Sequence, residues 1–146
     1  MNRYEKIQQI AVTAAEMREI EGRIFAAGMP VAALMEKVAG LISRRIQSLF
    51  PLLLNPTPNS SPLYREGRRD SQEFLARVGV LVGPGHNGGD ALVVARELHF
   101  QGYQVKSYRP FPKLKDLTTQ HDLYGQTLGI AYVENIGDLQ DCDLII

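Results

Sequence analysis

The stretch Arg77-Val-Gly-Val-Leu-Val-Gly-Pro-Gly-His-Asn-Gly-Gly-Asp-Ala-Leu-Val-Val-Ala-Arg-Glu-Leu98 decides the fold. Its first six residues are a short apolar run of the kind a buried strand shows. Four glycines, a proline, a histidine, an asparagine and an aspartate follow between Gly83 and Asp90. A helical pattern then runs from about Ala91 to Gln101 and closes at Gly102, a natural glycine one residue past a helix end. A strand, a glycine-rich turn and a helix in that order open a β-α-β unit.

The downstream sequence continues the alternation. Tyr103–Tyr108 alternates like a strand and is ended by Pro110 and Pro112. Leu117–Leu128 reads as a polar-faced helix with Gly129 after it, Ala131–Glu134 as a short strand, and Cys142–Ile146 as the start of another. The expected architecture is a parallel α/β sheet with right-handed crossovers. Ligands of such sheets bind outside the carboxyl ends of the strands. Ile146 stands where the last strand would deliver its functional loop, so the fold is expected to be incomplete at its C-terminus.

Two helices are expected upstream. Met17, Ile20, Ile24 and Phe25 repeat at helical spacing between Ala14 and Phe25, before Gly28 and Pro30 punctuate the chain. Leu34, Val38, Ile42, Ile46 and Leu49 then form a stripe that Met35, Ala39 and Leu41 widen, which predicts packing on a broad surface. Gly40 inside this helix is expected to allow close approach of another backbone. Residues 51–72, with four prolines, read as an irregular surface loop within a single domain of residues 1–146. Arg65, Arg68 and Arg69 near its end read as solvated charges, with a phosphate-contacting patch as the alternative.

Composition narrows the function classes. The 146 residues are 45% hydrophobic and carry sixteen basic against sixteen acidic residues, so no broad electrostatic footprint for nucleic acid or a membrane is expected. Cys142 is the single cysteine and cannot form an intrachain disulfide. The first twenty residues lack the apolar core of a signal peptide, which makes a cytoplasmic location the expectation.

The glycine turn admits a phosphate loop, a cation site or a tight turn with a helix cap. Gly83, Gly85 and Gly88 fit G-x-G-x-x-G, yet the region some twenty residues on reads Ser107-Tyr108-Arg109-Pro110, without the acid that binds a ribose in NAD sites. Arg109 there could face a 2′-phosphate; the plainer reading is a solvated residue. No lysine follows the glycines, so the G-x-x-x-x-G-K pattern fails. Pro84 lacks the N–H that an anion would use. Asp90 reads as the N-cap of the helix and would compete with a bound phosphate. The glycines are expected to adopt unusual φ angles that expose backbone groups to a ligand. Asn87 offers a neutral oxygen suited to an alkali or alkaline-earth cation. His99 and His121 lie at no zinc-like spacing from other ligands.

Gly83-Pro-Gly-His-Asn-Gly-Gly-Asp-Ala-Leu-Val-Val-Ala-Arg-Glu-Leu98 resembles the G-x-G-N-N-G-G-D-G-L-x-x-A-R-x-L signature of the NAD(P)H-hydrate epimerase family, the YjeF N-terminal domain. Met17-Arg-Glu-Ile20, Gly28-Met-Pro30, Leu34-Met-Glu36 and Ala39-Gly40 resemble that family's N-terminal helices. The resemblance implies a Rossmann-like three-layer α/β/α sandwich with a mostly parallel sheet and two N-terminal helices. It implies an isomerase that epimerises the S and R forms of hydrated NADH and NADPH, with potassium at the site. His86, Asn87, Gly88, Gly89 and Asp90 match its hydrate-binding loop, and Asn87 its potassium ligand. His86 stands where the family has asparagine, and Ala91 where it has glycine. The catalytic aspartate it implies would lie beyond Ile146. A fused or cooperating ADP- or ATP-dependent dehydratase, and a homodimer through the N-terminal helices, are expectations of the resemblance alone. A non-catalytic binding or scaffold module of the same family is the competing reading, and a generic dinucleotide-binding domain a third.

Overall fold

A computed structural model of the chain describes residues 2, 5, 10–49 and 76–146. The expected loop at 51–72 and the Arg65, Arg68 and Arg69 cluster lie outside the described residues. The chain divides into two compact units, Met1–Leu34 and Met35–Ile146.

In the first unit, helix α1 (Ala14–Ala26) starts where Thr13 and Glu16 form a capping box. The Glu16 N–H donates to Thr13 Oγ1 at 3.2 Å, and the Thr13 N–H donates back to Glu16 Oε2 at 2.7 Å. None of its residues is buried. Helix α2 (Val31–Leu49) begins after Pro30 and runs on into the second unit.

The second unit is built on four parallel strands: β1 (Arg77–Leu81), β2 (Gln104–Tyr108), β3 (Ala131–Val133) and β4 (Leu144–Ile145). Their spatial order is β3-β2-β1-β4. Val78 lies opposite Val105 on one side and Leu144 on the other. The parallel α/β architecture expected from the alternating pattern is the one observed. Helix α3 (His86–Phe100) packs across β1 and β2, and helix α4 (Asp116–Thr127) packs beside α3. A turn of 3₁₀ helix at Ile136–Leu139 precedes β4. One core joins Val78, Val80 and Val82 to Leu98, Val105 and Ile130, with Met35, Ala39 and Ile46 from α2. Four consecutive residues of α3, Leu92–Ala95, are buried, so this helix is enclosed on more than one side.

Helices α3 and α4 end alike. Gly102 and Gly129 have φ of +92° and +81°, and each follows a C-cap with the paired backbone bonds of a Schellman motif. Tyr103 N–H reaches Leu98 O at 3.1 Å, and Ile130 N–H reaches Gly125 O at 3.1 Å.

Two expectations about α2 need correction. Its buried residues in the second unit are Met35, Ala39, Ser43 and Ile46, a single narrow stripe. Met35 and Ala39, expected only to widen the face, are at its centre, whereas Leu41 and the stripe residues Ile42 and Leu49 are exposed. Gly40 has no atom within 4 Å of where a Cβ would stand, and no backbone approaches it among the described residues. Its helical backbone suits alanine. Gly40→Ala is therefore expected to stabilise the fold by up to about 1 kcal/mol, read as a raised midpoint in urea.

Candidate functional site

The strand order sets the place of the site. From β1 the chain builds outward through β2 to β3, and β4 then adds on the opposite side of β1. The order reverses between β1 and β4, and the crevice at their carboxyl ends is where open α/β sheets bind ligands. Leu81 N–H donates to Ile146 O at 2.9 Å, holding those two ends together. The segment Val82–Asp90 leaves β1 at this point.

Its local structure differs from the expectation in two ways. Helix α3 begins at His86, with Gly85 as N-cap, so Asp90 is the fifth residue of the helix and does not cap it. None of Gly83, Gly85, Gly88 and Gly89 has a positive φ. Gly88 and Gly89 serve close packing and not left-handed backbone, while a Cβ on Gly83 or Gly85 would meet nothing within 4 Å. A Cβ on Gly88 would stand 1.8 Å from the carbonyl oxygen of Gly83, so the first turn of α3 closes directly onto the peptide that leaves β1. That turn could not form around any larger side chain.

The loop is fixed from several directions. Gly85 O accepts the N–H groups of Gly88 at 3.0 Å and Gly89 at 3.3 Å. It also accepts the hydroxyl of Thr118, at 2.9 Å, from a side chain with 0% exposure. Pro84 has no N–H to give, but its carbonyl accepts Lys115 N–H at 2.9 Å, which ties the loop to the start of α4. Met35 on α2 ends against Gly89. Thr118, Lys115 and Met35 were not legible as site residues, because each acts through a contact distant in sequence.

His86 and Asn87 are exposed, Gly88 and Gly89 buried, and Asp90 intermediate. The five expected site residues are thus one helical turn and a little more, presented on a buried glycine pair. The backbone N–H groups of His86 and Asn87 have no partner among the described residues. They form the positive end of α3. With Asp90 in the second turn, the expected competition between an N-cap carboxylate and a bound anion falls away, and only Pro84 still counts against an anion. Asn87 supplies a neutral amide oxygen that fits one position in the shell of a hard cation. Among the described residues no three of His, Cys, Asp or Glu gather at a metal-binding spacing.

Behind the loop, charged groups link three helices. Glu36 of α2 forms a two-pronged pair with Arg96 of α3, at 3.0 and 2.6 Å, and Glu97 adds a contact of 2.8 Å. The Arg96 hydrogen bonds hold the Glu36 carboxyl below the usual carboxylate range, and the same bonds raise Arg96. Burial pushes His121 of α4 down, Glu36 works against that shift, and Arg96 adds to it. His121 Nε2 is buried without a hydrogen bond. Both depressed groups bind protons more readily in the unfolded chain, so each favours unfolding as pH falls. Stability should decline from about pH 6.5 downward through His121, and again below about pH 4.5 through Glu36. His121→Gln is expected to flatten the first decline and leave the second, as measured by thermal midpoints between pH 4 and 8.

On the far side of the sheet from β4, Arg109 departs from its expected solvated role. Its Nε lies 3.4 Å from Oδ1 of Asp122, a carboxylate that is 4% exposed. The two atoms attract as charges but make no hydrogen bond. Nothing local in the sequence joins these residues; α4 brings Asp122 over the end of β2. Among the described residues no helix is long and apolar enough to cross a membrane.

Comparisons with known proteins bear on the family and the fold of the chain. The family described as "YjeF-related protein N-terminus" matches residues 31–146. The chain is 50% identical over 135 residues to the "Bifunctional NAD(P)H-hydrate repair enzyme Nnr" of a Synechocystis species, covering 92% of this chain and 22% of that protein. It is 44% identical over 118 residues to the protein of the same name from Gloeobacter violaceus, covering 81% of this chain and 19% of the relative. A 59-residue match at 44% identity to the "NAD(P)H-hydrate epimerase" of Neurospora crassa covers 40% of this chain and 25% of that one. The chain thus spans about a fifth to a quarter of the curated relatives it matches. The crystal structure of yeast ynu0 shares the fold, with a TM-score of 0.65 at 23% identity over 85% of this chain and 46% of the yeast chain.

Proposed function

The chain belongs to the YjeF-related protein N-terminus family, and from that premise we propose that it serves the epimerisation of the S and R forms of hydrated NADH and NADPH. The observation that carries this reading is the Gly83–Asp90 turn, which presents His86 and Asn87 at the reversal of strand order on the buried pair Gly88-Gly89. The names of the relatives supply the substrate class.

The hydrated ring carbon bears both a hydroxyl and the ring nitrogen. The nitrogen lone pair can expel the hydroxyl, which leaves as water once protonated, to give a planar iminium. Water then adds to either face and loses its proton, restoring the hydrate with either configuration. One carboxylic group can give the first proton and take back the last, as general acid and base. That carboxylate is proposed to follow β4, whose carboxyl end lies beside the loop through the Leu81–Ile146 bond. In this scheme His86 and Asn87 bind and orient the hydrate, and the N–H groups of their turn, without partners among the described residues, are available to it. Potassium, if bound, would be held in part by the amide oxygen of Asn87 and would supply positive charge near the departing hydroxyl.

The proposal extends to a dehydratase that consumes one epimer, either fused to this domain or separate, and to a cytoplasmic setting. Titration of this protein with hydrated NADPH in potassium and in sodium buffers tests the site. A thermal midpoint raised by the hydrate, more so in potassium, and lost in Asn87→Ala is the expected result. Equal midpoints under every condition would sink the assignment and favour a non-catalytic module.

A further inference from the structure

A second candidate subsite lies outside the glycine turn. Tyr108, Arg109 and Pro110 at the end of β2, with Tyr132, Val133 and Glu134 at the end of β3, line an open cleft of about 510 Å³. We propose that this cleft holds the adenosine half of the dinucleotide, with Arg109 facing a ribose 2′-phosphate. The inference rests on the epimerase reading for the identity of the dinucleotide, and it adds a discrimination between the two substrates.

Position is the first support. In doubly wound sheets the end of the second strand receives the ribose, with an acid for free hydroxyls or an arginine for a 2′-phosphate. Strand β2 ends in Tyr108-Arg109-Pro110, with the basic residue and no acid. The segment that follows returns to the glycine turn, where Lys115 N–H meets Pro84 O at 2.9 Å. Cleft and turn therefore lie along one continuous edge.

The state of Arg109 is the second support. Nη1 donates to Phe111 O at 2.7 Å, and Nε faces Asp122 Oδ1 at 3.4 Å without a hydrogen bond. Nη2 has no partner among the described residues, and the side chain is 30% exposed. The guanidinium is held in place with part of its donor set open. Asp122 is itself anchored: Oδ2 accepts Gln126 Nε2 at 2.9 Å, and its carbonyl accepts the Tyr132 hydroxyl at 3.1 Å. Only the Asp122 side of this ion pair is buried and no hydrogen bond joins the two groups, so the contact adds little to stability and its use as a brace for the arginine fits its geometry better. Planar guanidinium groups suit phosphate because two N–H groups can meet two oxygens. Burial and Asp122 push the Tyr132 phenol up, and its hydroxyl is already committed to the Asp122 carbonyl, which fixes the ring in the wall of the cleft. The exposed Glu134 carboxylate is placed to accept a ribose hydroxyl or an adenine amine, and it moderates the attraction for a dianion.

Calorimetric titration of the chain with 2′,5′-ADP and with 5′-AMP tests the subsite without any need for turnover. The wild type should bind 2′,5′-ADP about tenfold more tightly than 5′-AMP. Arg109→Met should erase that preference and leave 5′-AMP within twofold. Glu134→Gln, at an exposed position with no hydrogen bond or ion pair among the described residues, should strengthen 2′,5′-ADP binding about threefold, and it decides the matter if the arginine variant fails to fold. Equal affinity of the wild type for the two ligands, or an equal loss of both in Arg109→Met, would overturn the proposal. An active epimerase with no 2′-phosphate preference would remove this subsite alone, whereas a preference without epimerisation would remove the function and keep the subsite.

Discussion

Gly88→Ala is expected to unfold the second unit or to cost more than about 4 kcal/mol, a loss of the size reserved for backbone collisions. The added Cβ would stand 1.8 Å from Gly83 O and 2.7 Å from Gly83 C, both main-chain atoms that no rotamer change can move. Relief requires the first turn of α3 to part from the end of β1. That would break the Gly85 carbonyl's bonds to Gly88, Gly89 and Thr118 together. Neighbouring glycines provide the contrast. A Cβ on Gly89 would meet the Met35 side-chain end at 2.5 Å, which can swing aside, so Gly89→Ala should cost about 1–3 kcal/mol. A Cβ on Gly83 would meet nothing within 4 Å, and Gly83→Ala should stay within about 0.5 kcal/mol of wild type. Urea unfolding of the three variants would rank them. A Gly88→Ala protein as stable as Gly83→Ala would show that the turn is not closed as described.

The second large effect concerns chemistry. In the domain joined to the carboxylate proposed to follow β4, Asn87→Ala should lower kcat/KM for the hydrate about a hundredfold, the loss typical of one oriented polar group at a developing charge. Its stability should change by less than about 0.5 kcal/mol, because Asn87 is exposed and makes no hydrogen bond among the described residues. The separation of the two effects is the test, since it divides a binding role from a structural one. His86→Asn, which installs the residue of the signature that the turn resembles, should retain activity within a few-fold.

Much of this architecture could be read from local patterns. Arg77–Val82 announced a buried strand through its unbroken apolar run, and Gly102 and Gly129 announced helix ends through the left-handed backbone they permit. The start of α3 was misplaced for a definite reason. An aspartate before Ala-Leu-Val-Val has the local form of an N-cap, while Gly88-Gly89 looks unlike a helical turn. Both signals are short-range, and contacts with Gly83 and Met35 override them by rewarding a backbone without side chains. The face of α2 was blurred similarly, because its apolar residues outnumber the positions that meet the core. Thr118, Asp122 and Glu36 act across helices, and no spacing in the sequence pairs them with Gly85, Arg109 or Arg96. The strand order, and with it the place of the crevice, emerged only from the pairing of β4 with β1.

The most direct measurement follows the R epimer of hydrated NADPH, separated from the S form, in potassium buffer with and without this domain joined to the carboxylate proposed to follow β4. Formation of the S epimer well above the uncatalysed rate, slowed about a hundredfold by Asn87→Ala at unchanged stability, is the predicted result. A folded protein that leaves the epimer ratio drifting at the uncatalysed rate would contradict the assignment of the Gly83–Asp90 turn to this chemistry.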